Sequence, residues 1–168
     1  MLSRIDEIIY PNRCEVIEFL DPQRFVYPIF KNGSSSLAAK GYRQLSHDEI
    51  RKLSTIEVYL RDPYERYVSG VQTYLSNLGP GYDRATVLKM IGEFLFLNRH
   101  FALQFHWLTN LARFTDAWIR FRPMEELQTA TEHTFNVISR DPALLDYFKD
   151  NSKLSAMLRL QPIFLCIF

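Results

Sequence analysis

The sequence predicts one α/β domain, a small parallel sheet covered by helices, and three observations predict it. β-Rich runs at residues 25–30, 55–60 and 117–122 are separated by longer stretches with helical periodicity. The first two runs lead directly into a helix start, as a strand does before its crossover helix. No internal repeat, low-complexity tract or linker divides the 168 residues, a length that suits a single domain.

Residues 1–24 are mixed, with Pro11 and Pro22 breaking any long element and either a short helix or a short strand at 14–20. Residues 25–30 read as a strand in which Pro28 favours an edge or an end over a central ladder. Residues 34–42 continue as a helix. A helical turn at 48–53 precedes 55–60, where Ile56, Val58 and Leu60 alternate as a strand requires. Asp62 is a good N-cap, Pro63 suits the first helical position and Glu65 stands where a capping-box acid belongs. That helix runs to Asn77 and stops at Gly79-Pro80-Gly81. A helix at 86–97 carries Leu88, Ile91 and Leu95 on one stripe. Ala117, Ile119 and Phe121 then alternate with Trp118, Arg120 and Arg122 as a third strand, and two helices follow at 129–139 and 142–160.

Composition narrows the function. A hydrophobic fraction of 47% and a charged fraction of 23% are ordinary for a soluble globular protein. The formal charge of +1 gives no overall basic field of the kind non-specific nucleic-acid binders use, so any anion site must be local. The two cysteines, Cys14 and Cys166, make no disulfide framework and favour a reducing compartment. The N-terminus lacks the layout of a signal peptide, and the most apolar stretch, near residues 94–97, is too short to span a bilayer. The expectation is a cytoplasmic protein with no membrane span and no nucleic-acid partner.

Two segments carry the chemistry. In the first, Lys31-Asn32-Gly33-Ser34-Ser35-Ser36-Leu37, a strand passes through a small hydroxyl-rich turn into a helix. The first N–H groups of such a helix lack intrahelical partners and point at whatever precedes it, and the helix dipole favours an anion there. Gly33 allows close approach of the backbone, the serines add hydroxyl donors, and Lys31 supplies a mobile charge. The lysine precedes the glycine, unlike the order of a Walker A loop. The alternative is a serine-rich capping turn with a solvated lysine. In the second segment, Arg61 ends a strand and can fork onto a phosphate. Arg66 and Ser69 follow on one helical face, although Arg66 can instead pair with Asp62 four residues earlier. Both segments lie at the carboxyl end of a strand, where open α/β sheets bind ligands.

Together these segments resemble the sulfotransferases that use 3′-phosphoadenosine 5′-phosphosulfate (PAPS), and most nearly the Golgi-type carbohydrate sulfotransferases. The segment from Lys31 to Leu37 is similar to their 5′-phosphosulfate loop. Arg61-Asp62-Pro63-Tyr64-Glu65-Arg66-Tyr67-Val68-Ser69 is similar to their 3′-phosphate motif, an arginine and a serine eight positions apart. Weaker likeness extends over residues 25–158, including Asn98-Arg99-His100-Phe101-Ala102-Leu103-Gln104 and the run Asp116 to Leu127. The resemblance implies a three-layer P-loop-like fold related to nucleotide kinases. It also implies that Lys31 contacts the oxygen bridging phosphate and sulfate, that Asn32, Gly33, Ser34, Ser35, Ser36 and Leu37 hold the 5′-phosphate, and that Arg61 and Ser69 hold the 3′-phosphate. The sequence departs from the family in two places. Phe30 stands before the lysine where many members have proline, and residues 160–168 hold no basic, glycine-containing loop of the kind that covers the nucleotide.

Sulfuryl transfer to an alcohol needs in-line approach, charge stabilisation and removal of the acceptor proton. Lys31 and a helix N-terminus can supply the positive field, and no His/Cys/Asp spacing suggests a metal. His100 is the candidate general base because an unperturbed histidine titrates near neutrality and it lies in the segment similar to the family's. The alternative is a partly buried histidine bonded to Gln104, with His106, His47, Asp48 and Glu49 in reserve. Phe94, Phe96, Phe101, Phe105 and Trp107 either line an acceptor cleft or fill the core. The acceptor expected is a hydroxyl, of a carbohydrate by family likeness. The rival functions are a non-catalytic nucleotide-binding module and an ATP-dependent kinase.

Overall fold

The centre of the fold is β4 (Thr55–Leu60), whose four inner residues are all buried. Such a strand is covered on both faces, and its side chains divide between two apolar clusters. Ile56 and Val58 join Tyr27, Ile29, Ile50, Trp107 and Leu111 on one face. Tyr59 joins Ile17, Val26, Leu37 and Leu127 on the other. This computed structural model describes residues 15–20, 23–29, 31–33, 37, 41–93, 98–131 and 142–149.

Five strands form one open sheet in the order β3-β1-β2-β4-β5. The strands β1 (Ile17–Leu20) and β2 (Gln23–Val26) form an antiparallel hairpin, and β3 (Arg43–Gln44) pairs antiparallel to β1. β2 runs parallel to β4, and β4 runs parallel to β5 (Trp118–Pro123) in full register from Thr55↔Trp118 to Leu60↔Pro123. The sheet is therefore mixed, which corrects the expectation of a parallel one. The reason is chain length: two residues between Leu20 and Gln23 allow only a hairpin, whereas a parallel pair needs a crossover of a dozen residues or so. β2 also ends earlier than expected. Tyr27 N–H still donates to Glu57 C=O at 2.9 Å, and then Pro28, which has no N–H, closes the ladder.

Six helices are described. A single turn, α1 (His47–Ile50), opens with a full capping box between Ser46 and Glu49. Next comes α2 (Pro63–Ser76), where the Asp62 carboxylate accepts from Glu65 N–H at 2.8 Å and Pro63 occupies the first turn. The third, α3 (Arg84–Gly92), is capped by Asp83 and covers the start of the expected 86–97 helix; residues 94–97 lie outside the described residues. α4 (Gln104–Ala112) has no side-chain cap bond and was not anticipated from the sequence. α5 (Met124–Thr131) begins before the expected 129–139 helix, and α6 (Pro142–Lys149) is the described part of the expected 142–160 helix. Of the expected helix at 34–42, Leu37 is helical while Gly41, with φ of +73°, and Tyr42 are not; residues 34–36 and 38–40 lie outside the described residues.

Among the described residues, no helix is long and apolar enough to cross a membrane.

Candidate functional site

Two same-side positions of β4 and the residue just past its end show how the site is assembled. Glu57 C=O takes its partner from the β2 backbone, at Tyr27 N–H. Two residues on, Tyr59 C=O accepts from Asn32 Nδ2 at 2.7 Å. Two further on, Arg61 uses both main-chain groups on the Gln104 side chain: its N–H donates to Oε1 at 3.2 Å and its C=O accepts from Nε2 at 2.8 Å. Asn32 Nδ2 also donates to Gln104 Oε1 at 2.6 Å. The loop after β2 and the end of β4 are thus joined through two buried amide side chains.

Lys31 and Gly33 both have left-handed backbones, with φ of +67° and +75°. Glycine adopts that conformation freely, but for Lys31 it costs roughly 1–2 kcal/mol, strain of the sort that collects at functional sites. The Lys31 ammonium donates to Thr73 Oγ1 at 2.8 Å, and the Thr73 hydroxyl donates to Ser69 C=O at 3.0 Å. Arg61 donates from its guanidinium to Lys31 C=O at 3.4 Å and lies 3.8 Å from the Glu65 carboxylate. Lys31, Arg61 and Ser69, named from two distant segments, therefore occupy one locality.

A local positive field results. Burial holds the Lys31 ammonium below the usual lysine range, and the charges of Arg61 and Arg66 push it further. Arg66 is fully buried and donates to Ala102 C=O; burial, then the neighbouring Arg61, brings its pKa down to about 9. His100 is lowered by burial first, then by Arg99, Lys31 and Arg66. His106 is lowered to about 4 by burial, with Arg66 contributing. Arg61 and Arg66 thus act on Lys31, Arg61 acts on Arg66, and Arg99, Lys31 and Arg66 act on His100.

The 98–103 segment is held tightly against α2. Asn98 C=O accepts from Phe101 and Ala102 N–H, and Asn98 Oδ1 accepts from His100 N–H at 3.1 Å. A Cβ at Gly70 would sit 2.0 Å from His100 C=O, so only glycine permits this approach.

Lys31, Gly33, Arg61, Ser69 and His100 are brought to this locality, while Ser34, Ser35 and Ser36 lie outside the described residues. Two expected ligand residues are engaged within the fold. Asn32 is 1% exposed and spends its amide donors on Tyr59 and Gln104. Leu37 is buried in the core, and its N–H donates to Gly33 C=O at 3.0 Å. Arg66, weighed as a partner of Asp62, turns its guanidinium inward to Ala102. Phe101 and Trp107 belong to the apolar core. Sequence reasoning missed Thr73 altogether, although its place one turn after Ser69 was the available signal.

Comparisons with protein-family models, with curated proteins and with solved structures return no match. Among the described residues, no group of three or more His, Cys, Asp or Glu side chains is placed to hold a metal ion.

Proposed function

We propose that this chain is a sulfotransferase that moves the sulfuryl group of PAPS to a hydroxyl, with a carbohydrate as the acceptor class the sequence likeness favours. One observation carries the proposal: Lys31, in the loop after β2, and Arg61, just past the parallel strand β4, lie with Arg66 in a local cationic cluster beside His100, on a chain of formal charge +1. Such a cluster suits a ligand with two separated anionic groups. A three-layer P-loop-like fold and a cytoplasmic setting are part of the same proposal, the latter resting on the two cysteines of the sequence.

PAPS would supply an activated sulfuryl group on a phosphate leaving group. Arg61 and Ser69 would hold the 3′-phosphate, the guanidinium by charge-assisted bonds. The Gly33 backbone and the adjoining serines would hold the 5′-phosphate. Lys31 would stabilise the charge that grows on the bridging oxygen as the sulfur–oxygen bond breaks. His100, kept neutral at pH 7 by its lowered pKa, would take the proton from the acceptor hydroxyl as its oxygen bonds to sulfur. Its proton affinity would rise again once the bound anion offsets the neighbouring cations.

The test is transfer from sulfur-labelled PAPS to a panel of mono- and oligosaccharides, with Lys31→Ala as control. Labelled acceptor formed by the wild-type protein and not by the variant supports the proposal. Tight PAPS binding with no transfer to any hydroxyl would mark a nucleotide-binding module instead.

A further inference from the structure

Past Glu57, β4 keeps β5 on one side but loses its β2 neighbour on the other, because Pro28 has no N–H and the chain turns away, with Asn32 N–H bonding back to Ile29 C=O at 3.0 Å. Buried main-chain groups left without partners are costly, and here side-chain amides replace the missing strand. Asn32 takes the position opposite Tyr59. Gln104 takes the position opposite Arg61, giving and receiving one hydrogen bond as a strand residue would. Because Asn32 also donates to Gln104, the substitute ladder is a single connected unit. It stands at 1% and 2% exposure for the two amides, and buried networks of this sort fix one geometry.

We propose that Gln104 is a positioning residue that fixes the backbone from which Arg61 projects relative to the Lys31 loop, and so sets how well the site recognises the 3′-phosphate end of its ligand. This rests on the nucleotide reading above. Gln104 also begins α4, directly after the segment that carries His100, so one side chain ties the candidate base segment to both cationic loops. Its two hydrogen bonds to Arg61 are both to the main chain. Its effect passes through the Arg61 main chain.

The test uses Gln104→Met, similar in shape but unable to bond, and Gln104→Glu, which keeps an acceptor for Arg61 N–H and Asn32 Nδ2. Two quantities are measured on each full-length folded variant: amide hydrogen exchange at Arg61, and the ratio of affinities for adenosine 3′,5′-bisphosphate and adenosine 5′-phosphate. Gln104→Met is expected to lose about tenfold in Arg61 protection and about tenfold in that ratio, with exchange at Ile56 and Val58 unchanged. Gln104→Glu is expected to retain Arg61 protection and most of the ratio. Unchanged Arg61 protection and an unchanged ratio in Gln104→Met would overturn the proposal, as would equal losses in both variants. Should Gln104→Met fail to fold, loss of Arg61 protection in Gln104→Glu overturns it and retention supports it. If the wild-type protein does not discriminate the two nucleotides, the nucleotide reading fails, and the exchange at Arg61 still decides whether Gln104 fixes that backbone.

Discussion

The guanidinium of Arg61 donates to the main-chain carbonyl of Lys31 across 3.4 Å, although 30 residues separate them in the chain. That contact joins the end of β4 to the loop after β2, and it makes two sequence segments into one site. A ligand gripping Lys31 and Arg61 therefore meets groups already oriented toward a common locality, with little ordering cost left.

Arg61→Ala should weaken adenosine 3′,5′-bisphosphate by about 2 kcal/mol, roughly a 30-fold loss in affinity. Adenosine 5′-phosphosulfate, which has no 3′-phosphate, should bind with nearly unchanged affinity. Equal losses for both ligands, measured by calorimetry, would remove Arg61 from the 3′ end.

Lys31→Ala and Lys31→Gly should both abolish turnover and differ in stability. Each removes the ammonium and its bond to Thr73, but only glycine relieves the left-handed backbone. Lys31→Gly should be about 1 kcal/mol the more stable of the two by denaturant unfolding. Equal stabilities would show that the +67° backbone carries no strain.

Gly70→Ala should cost 2–3 kcal/mol or so and slow turnover as well, because the new Cβ would push directly on His100 C=O. Crowding against main chain is not relieved by rotamer change. A stable Gly70→Ala variant with full activity would detach the position of His100 from the chemistry.

Anion binding should take up protons. In the free protein His100 sits below the usual histidine value through burial, then Arg99, Lys31 and Arg66, and a bound anion offsets those three cations. The bound state then holds more protons than the free state near and below pH 6.5, so affinity rises as pH falls. Calorimetry of adenosine 3′,5′-bisphosphate in buffers of different ionisation heat reads the uptake directly. Proton release on binding has the wrong sign for the cationic cluster.

His106 should make the protein acid-sensitive. Its folded pKa of about 4 lies below the unfolded value of 6.5, so between those values the unfolded chain binds the extra proton. The stability is complete above pH 6.5 and declines until pH 4. His106→Gln should flatten that part of the urea-unfolding profile; parallel profiles for the two proteins would contradict the assignment.

Much of this was legible in the sequence where local rules govern. β4 is found at 55–60 as read, because alternation and flanking polar residues fix it. Asp62, Pro63 and Asn77 bound α2 as read, because cap chemistry is local. The mixed sheet was not legible, since strand pairing is a long-range property that β-propensity does not encode. α4 escaped notice because Leu103 caps it without a side-chain bond. At the site, the chemical types of Lys31, Gly33, Arg61 and Ser69 carry the anion-binding reading in the sequence, and the fold brings them to one locality. The roles of Asn32, Gln104 and Thr73 depend on partners between 27 and 72 residues away and could come only from the fold.

The most direct test of the whole account is a competitive calorimetric titration of the wild-type protein with adenosine 3′,5′-bisphosphate and with ATP. The paired loops around Lys31 and Arg61 predict one bound bisphosphate per chain, held well above ATP. Preference for ATP, or no binding of the bisphosphate at all, would contradict a site built for two phosphates at opposite ends of one nucleoside.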